Sequence, residues 1–159
     1  MRINEAVFQP IERDAVIATA ERYRWHIWMP TIRNVFHGQD KTGLQVDTPD
    51  INFRPPGKRG GYWVPGQLNI GVPYKWGGFD SIADCDEGVK NGKYAGDLIT
   101  KGRDGKGVSN QAVGVDCSGF VSRCFNLPHQ YSTLELPDLT VPLSSPKDLR
   151  PLRSQANLT

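Results

Sequence analysis

The sequence predicts a small α+β fold that is rich in loops and has two main helices. Residues 11–28 and the segment that follows Asp116 both carry apolar residues at helical spacing. Short strands are predicted over residues 44–46 and 62–64. Only 38% of the 159 residues are hydrophobic, and 17 glycines and 12 prolines are present. This composition is typical of short elements that loops connect around a modest core.

The first predicted helix covers residues 11–28 and ends before Pro30. Its apolar residues share one face, because they follow each other at i, i+4, i+7 and i+11: Val16, Ala20, Tyr23 and Ile27. We expect this face to pack against the core of the domain.

The second predicted helix begins in the segment GVDCSGFV, residues 114–121. Asp116 stands where an N-cap belongs, so Cys117 falls in the first helical turn. The partial positive charge of a helix N-terminus favours the thiolate, which is the nucleophilic form of cysteine. We therefore expect the Cys117 thiol to face a cleft. Cys124 lies on the apolar stripe of the same helix, and we expect it to be buried as a small hydrophobic residue.

A second motif, GVPYKWGG, occupies residues 71–78 upstream of this helix. Together with DCSG at residues 116–119, it resembles the NlpC-type papain-like cysteine peptidases, many of which are bacterial cell-wall endopeptidases. That family is marked by G-x-P-Y-x-[WY]-G-G followed by D-C-S-G at the head of a helix. The resemblance covers about residues 69–127. It implies a papain-like fold and cleavage of peptidoglycan stem peptides, commonly after a γ-linked D-glutamyl residue.

The resemblance also implies roles for individual residues. Cys117 matches the nucleophile of the family. Asp116 and Ser118 match neighbours that help to hold the free amino end of the substrate. Tyr74 matches a tyrosine that lines the cleft beside the nucleophile, although aromatic packing alone would also explain it. The glycines at residues 77–78 match a tight turn.

The segment between the two motifs departs from the family pattern, in which a short loop usually joins them. Residues 79–113 are glycine-rich and charged, and they read as an insertion that forms a lid over the cleft or a solvated surface excursion. Within it, residues 94–99 are expected to form a short ordered piece. We accordingly divide the chain into an N-terminal helix and loop region, residues 1–68, and the front part of a peptidase domain, residues 69–159.

The second departure concerns the catalytic base. A cysteine nucleophile needs a histidine within hydrogen-bond reach, and the family supplies it from a strand downstream of the cysteine helix. The three histidines here are His26, His37 and His129, and we expect none of them to be the base. If the helix continued to His129, that residue would lie about 18 Å from Cys117 along the axis. We expect no tight fold-back after the helix.

The tail, residues 137–159, has no alternating apolar run that could form a strand. We therefore expect the chain to be the front part of a peptidase domain that lacks its sheet and histidine. Such a chain would have little peptidase activity by itself. A second chain or a further C-terminal segment would complete the fold.

Two other functions remain open for this sequence. One is a non-catalytic module that keeps the cleft and uses Asp116 and Tyr74 to bind a peptide or cell-wall fragment. The other is an amidase or acyltransferase on the same fold, because papain-like sites also handle other acyl groups. Product analysis on defined substrates would separate this last function from a peptidase.

Composition excludes several other classes. The net charge of +2 is too small to indicate a nucleic-acid partner. Three cysteines without a C-x-x-C pair indicate neither a disulfide framework nor a zinc site, and no other metal or cofactor is expected. No apolar run is long enough for a membrane span. The start of the chain, MRINE, lacks the apolar region of a signal peptide. A cell-envelope or secreted location is thus implied only by the resemblance.

Overall fold

The computed structural model describes residues 11–54, 60–99 and 107–139, which form an α+β fold as predicted. Three helices occur in these residues: α1 (Arg13–Arg24), α2 (Ile82–Lys90) and α3 (Cys117–Cys124). The strands are short: β1 (Ile27–Trp28), β2 (His37–Gln39), β3 (Gln45–Asp47), β4 (Asn69–Ile70), β5 (Tyr94–Ala95) and β6 (Ala112–Val113). Single 3-10 turns cover Ile32–Asn34 and Leu136–Leu139. None of the described helices has the length and apolar character needed to cross a bilayer.

The six strands pair into three two-stranded sheets. Strands β1 and β4 are antiparallel, with Ile27 opposite Ile70, and both of these side chains are exposed. Strands β2 and β3 form an antiparallel hairpin, and β5 pairs in parallel with β6. The fold therefore has no large sheet within its described residues, and its core depends on side chains from helices and loops as well as from strands.

Helix α1 is shorter than predicted, because it ends at Arg24 and the chain continues into β1. Ile27, predicted to lie on the buried face of this helix, is 60% exposed and pairs with Ile70 instead. Pairing with β4 thus overrides a helical pattern that continued in the sequence. Tyr23 is buried as predicted, and its ring packs edge-on against Phe120 of α3 with the centroids 5.7 Å apart.

The strand predicted over residues 44–46 is confirmed as β3, displaced by one residue. The strand predicted over residues 62–64 is wrong, since Trp63 forms only an isolated bridge with Asp50. Trp63 is instead a centre of the core. Its indole is fully buried, packs 5.7 Å from the Trp28 ring and donates a hydrogen bond to the Ala95 carbonyl at 3.0 Å.

Where it is described, the segment between the motifs, residues 79–113, contributes buried side chains to the core as well as exposed ones, so it is not a purely solvated surface excursion, and the lid stays a prediction. It contains α2, β5 and β6, and Cys85, Ala95 and Val113 are each at most 2% exposed. The many charged residues of this segment made its buried apolar positions hard to recognise in the sequence. The ordered piece predicted over residues 94–99 is confirmed in part by β5.

Helix α2 carries a sequence signal that explains where it begins. Ser81 is its N-cap, and its hydroxyl accepts a hydrogen bond from the Asp84 N–H at 3.1 Å. The Asp84 carboxylate reaches back to the Ser81 N–H at 2.9 Å. This is a capping box, which satisfies two backbone donors at a helix N-terminus.

The prediction about the tail lies largely outside the described residues, which end at Leu139.

Candidate active site

The two motifs singled out in the sequence lie side by side. Three backbone hydrogen bonds join them: Val115 N–H to Pro73 O at 3.1 Å, Lys75 N–H to Val115 O at 3.1 Å, and Asp116 N–H to Gly78 O at 3.2 Å. Tyr74 and Val115 form a parallel bridge within this contact. The GVPYKWGG segment therefore fixes the position of the residues that lead into α3.

Two glycines make this close approach possible. A Cβ atom at Gly119 would lie less than 3.0 Å from the Gly78 carbonyl oxygen, and one at Gly78 would also lie less than 3.0 Å from the Gly114 carbonyl oxygen. Real Cβ atoms essentially never approach other atoms so closely. The last glycine of each motif is thus required by backbone-to-backbone contact between the motifs.

Cys117 is the first residue of α3, and it is exposed. Asp116 is the N-cap, as predicted, with an extended backbone and a carboxylate that accepts the Gly119 N–H at 2.7 Å. Within the described parts of the chain, neither the Cys117 thiol nor the backbone N–H groups of Cys117 and Ser118 have a hydrogen-bond partner. A reachable sulfur and two unused backbone donors therefore sit together at the start of the helix.

The Asp116 carboxylate is occupied by protein groups. Its Oδ1 accepts the Gly119 N–H, the Ser118 hydroxyl at 3.0 Å and the Gln130 amide at 3.0 Å. Its Oδ2 accepts the Gly77 N–H at 2.9 Å and the same Gln130 amide at 3.0 Å. Asp116 and Ser118 are only 9% and 7% exposed. In this structure the carboxylate connects the first motif, the helix start and the segment after the helix.

Gln130 reaches this carboxylate because the chain folds back after α3, which is contrary to the expectation from sequence. Asn126 adopts a left-handed conformation with φ of 52°. The Leu127 N–H donates to the Ser122 carbonyl at 2.9 Å and the Asn126 N–H to the Arg123 carbonyl at 3.0 Å. These two bonds form a Schellman motif, in which asparagine can replace the usual glycine.

The Schellman motif reverses the chain, so that Gln130 returns to the helix start instead of continuing along the axis. The Tyr131 N–H then donates to the Ser122 hydroxyl at 3.1 Å, which holds the returning segment against α3. No pattern in the sequence singled out Gln130. The asparagine just before Leu127 and Pro128 was the one local signal of the reversal.

Tyr74 pairs through its backbone with Val115, two residues before Cys117. Burial of its half-buried phenol raises the pKa of Tyr74, and the neighbouring Asp116 and Cys117 add to this shift because their negative charges disfavour a phenolate. The structure thus brings together all four of the residues that the resemblance assigned to the site: Cys117, Tyr74, Asp116 and Ser118.

A cavity of about 440 Å³ adjoins Tyr74. It is lined by Pro49, Gly60, Tyr62, Tyr74 and Leu98. Tyr62 is 51% exposed, and its hydroxyl accepts the Tyr74 N–H at 2.7 Å. The walls come from both sides of the division at residue 68, so residues of the N-terminal region help to shape the surroundings of Tyr74.

A larger cavity, about 990 Å³, lies between α1, α2 and α3. Tyr23, His26, Asp86 and Arg123 are among its lining residues. Cys117 and Tyr74 do not line this cavity. We therefore do not include it in the candidate active site, although it is the larger of the two.

No histidine is hydrogen-bonded to the Cys117 thiol within the described residues. Each of the three imidazole rings has another partner: the Asp86 carboxylate for His26 at 2.7 Å, the Asp50 carboxylate for His37 at 2.8 Å, and the Tyr131 ring for His129 at 4.2 Å between centroids. The described residues therefore contain the candidate nucleophile but no histidine that is hydrogen-bonded to it.

The three cysteines differ in burial, and this difference predicts selective alkylation. Burial raises the pKa of Cys85 to about 12 and that of Cys124 to about 11, whereas Cys117 is exposed. We expect iodoacetamide at pH 8 to modify Cys117 alone in the folded protein, which peptide mass spectrometry would detect. All three should react in urea. Modification of Cys85 or Cys124 in the folded state at the rate of Cys117 would contradict this burial.

Two buried ionisable residues, Lys75 within the first motif and Asp97 beside it, connect this motif to neighbouring segments. Lys75 is buried, donates to the Ala112 carbonyl at 2.9 Å and has its pKa lowered by burial. Asp97 is 2% exposed, and burial raises its pKa to about 6. The Asp97 N–H donates to the Tyr74 carbonyl at 2.8 Å, so the two segments are directly joined.

The raised pKa of Asp97 predicts a dependence of stability on pH. Because the folded state binds this proton more tightly, the contribution of Asp97 is greatest below the unfolded pKa of about 4 and is lost as the pH rises through about 6. We expect the change in unfolding free energy caused by Asp97→Asn to be more favourable at pH 8 than at pH 4. The difference between the two changes should be on the order of 2 kcal/mol. Urea denaturation at both values would measure this, with the exposed Asp14→Asn as control. An equal effect of Asp97→Asn at the two values would refute it.

Comparison of the chain with family models, with curated proteins and with solved structures gives no match. The candidate site is therefore defined by its own geometry.

Proposed function

We propose that Cys117 is the nucleophile of a papain-like cysteine peptidase of the NlpC type, which cleaves the stem peptides of peptidoglycan. The observation that carries this proposal is the direct contact between the two motifs around an exposed thiol at a helix N-terminus. An exposed cysteine in this position differs from Cys85 and Cys124, which are buried. Packing alone does not require an exposed thiol beside two closely packed motifs.

The chemistry follows from the atoms at the start of α3. The Cys117 sulfur would attack the scissile carbonyl, forming an acyl-enzyme as the amine leaves with a proton. The backbone N–H groups of Cys117 and Ser118 are unused by other described residues, and they would donate to the oxyanion of the tetrahedral intermediate. Tyr74 would line the cleft beside the sulfur.

The proposal includes a role for Gln130 in substrate binding. The resemblance assigns Asp116 to the free amino end of the substrate, but the Gln130 amide contacts both carboxylate oxygens of Asp116 at 3.0 Å. A substrate ammonium would have to replace this amide donor. Gln130 would thus hold the carboxylate in position while the site is empty.

The proposal needs a catalytic base that none of the described hydrogen bonds of the thiol supplies. Deprotonation of the thiol and protonation of the leaving amine need a histidine; His26 and His37 are hydrogen-bonded to carboxylates, and His129 stacks on Tyr131 without a described hydrogen bond to the thiol. A second chain or a further segment would supply this histidine. The isolated 159-residue chain should accordingly form an acyl-enzyme with an activated substrate but turn over little stem peptide.

An acylation assay tests the proposal without depending on the base. An activated ester of the dipeptide L-alanyl-γ-D-glutamate would be incubated with the protein at pH 8.5, and intact-mass spectrometry would follow the acyl adduct. We expect an adduct on Cys117 that is absent from Cys117→Ser and that forms at least about tenfold faster than with the α-linked L-glutamyl isomer. Cys124→Ser is the matched control. Equal rates for the two isomers would refute the assigned substrate, and no adduct at all would refute the nucleophile.

A non-catalytic binding module is the second candidate. It is favoured by the lack of a hydrogen bond between the thiol and any described histidine, and by the occupied carboxylate of Asp116. A module of this kind would bind the stem peptide equally well with Cys117→Ser and would form no acyl adduct in either form. Calorimetric titration of both proteins with the stem peptide separates it from a peptidase.

A further inference from the structure

We infer that the chain forms a reversible homodimer through an apolar face on the ribbon of β1 and β4. Four side chains make up this face, which we call the ribbon face: Ile27, Met29, Leu68 and Ile70. They are 60%, 57%, 71% and 63% exposed, respectively. None of the four belongs to either motif, so this interaction surface goes beyond the proposed function and does not depend on it.

The pairing of the two strands places these four side chains on one side of the ribbon. Ile27 lies opposite Ile70, and Trp28 lies opposite Asn69. Because side chains alternate along a strand, residues 29 and 68 follow on the side of Ile27 and Ile70. The burial agrees, since Trp28 and Pro30 are buried while residues 27 and 29 are exposed. One side of the ribbon thus packs on the core, and the other side presents apolar surface to water.

The backbone of the ribbon is open at both edges. The Gly71 N–H donates to the His26 carbonyl at 2.8 Å, so the alternation of an antiparallel ladder makes Ile27 and Ile70 a non-hydrogen-bonded pair. Their N–H and C=O groups therefore point away from the ladder.

The two segments that contain the ribbon carry no charged side chain. Natural proteins often protect an open sheet edge from association with charged residues. Residues 25–32 and 60–74 contain no Asp, Glu, Lys or Arg. Burial of the ribbon face therefore takes no carboxylate, ammonium or guanidinium of these segments out of water.

A second copy of the chain fits this surface in charge. An uncharged apolar face is complementary to itself, and a two-fold axis that pairs identical patches is the commonest arrangement of oligomers. A charged polymer or peptide would find no ion-pair partner in residues 25–32 or 60–74. The ribbon face thus favours its own copy over a charged partner.

The area of the face sets the expected strength of the dimer. Each of the four side chains exposes on the order of 100 Å², so two faces would bury roughly 800 Å² of side-chain surface, to which the neighbouring backbone adds. Stable complexes bury about 1,200–2,000 Å² in total, and weak ones bury less. We therefore expect a dissociation constant on the order of 100 µM.

Sedimentation equilibrium of the full chain at increasing concentration tests for the dimer. A reducing agent is present, so that the exposed Cys117 forms no intermolecular disulfide. We expect the average mass to rise from that of one chain at about 5 µM towards that of two chains at about 500 µM.

A lysine substitution in the face tests its part in association. Ile70→Lys should weaken the dimer at least about tenfold, because its ammonium groups would be buried without a partner. Leu134→Lys is the matched control, since Leu134 is 87% exposed and lies outside the ribbon. Its association should equal that of the natural chain.

Oxidation of Met29 locates the interface without any substitution. Hydrogen peroxide in excess converts the exposed thioether to the sulfoxide, which peptide mass spectrometry detects. We expect the rate constant to fall about threefold between about 5 and about 500 µM protein, because the dimer covers Met29. In urea, the rate constant should be the same at both concentrations.

Two results with the natural chain would overturn the inference. One is a chain that stays monomeric at about 500 µM. The other is a dimer in which Met29 is oxidised as fast as in dilute solution, because its interface would then lie elsewhere. Neither result requires Ile70→Lys to fold. Neither involves Cys117 as a nucleophile, so failure of the dimer leaves the proposed function standing.

Discussion

Gly119→Ala should lower the free energy of unfolding by about 3 kcal/mol or more, although alanine favours helices over glycine by about 1 kcal/mol in an ordinary helix. The expected sign is reversed because the new Cβ would lie less than 3.0 Å from the Gly78 carbonyl oxygen. That oxygen belongs to the backbone and accepts the Asp116 N–H, so it cannot move away cheaply. Relief of the clash would require α3 to separate from the GVPYKWGG segment.

Urea denaturation measures this effect, and protection of the buried Cys85 and Cys124 from iodoacetamide reports whether the fold survives. Gly60→Ala is the matched control, because the nearest atom to a Cβ there is the Phe53 carbonyl oxygen at an ordinary 3.5 Å. We expect that control to change the unfolding free energy by less than about 1 kcal/mol. A Gly119→Ala protein as stable as the natural one would mean that the two motifs are not in backbone contact.

Asp116→Ala should also be strongly destabilising, by about 3 kcal/mol. The substitution removes the helix N-cap, which is worth about 1 kcal/mol. It also leaves the Gly77 N–H and the Gln130 amide without the acceptor that they share. An unpaired donor away from water costs a further 1–3 kcal/mol, as an order of magnitude.

A comparison with α2 tests whether the carboxylate does more than cap a helix. Asp84 also bonds to the N-terminus of its helix, through Ser81, but it is exposed, and its contact with a distant segment is an exposed ion pair with Arg123 at 3.9 Å. Asp84→Ala should therefore cost at most about 1 kcal/mol, as measured by urea denaturation. Equal losses for the two substitutions would show that the contacts of Asp116 with Gly77 and Gln130 add nothing to stability.

The parts of the fold that local sequence determines were predictable. Helix α3, its Asp116 cap and the burial of Cys124 follow from a capping residue and apolar spacing within a single turn or two. The proximity of the two motifs was expected from the resemblance, and the bridge between Tyr74 and Val115 places Tyr74 next to the residues that lead into Cys117.

Long-range pairing explains most of what could not be predicted. The residues at the end of the first predicted helix became β1 because Ile27 pairs with Ile70, a partner that no local pattern reveals. Gln130 joins the site through the reversal at Asn126. The cavity beside Tyr74 combines Pro49, Tyr62 and Leu98, whose proximity depends on the whole tertiary arrangement.

The core position of the segment between the motifs has a consequence for how the site assembles. Closing a long flexible loop costs entropy before its end contacts can compensate. Helix α2 and the parallel pair β5–β6 fold the intervening chain back on itself, and Lys75 and Asp97 tie it to the first motif. A short link would bring the motifs together by simple proximity, whereas here a small folded unit must form first. The nucleophile's surroundings should therefore be among the last features to appear during refolding.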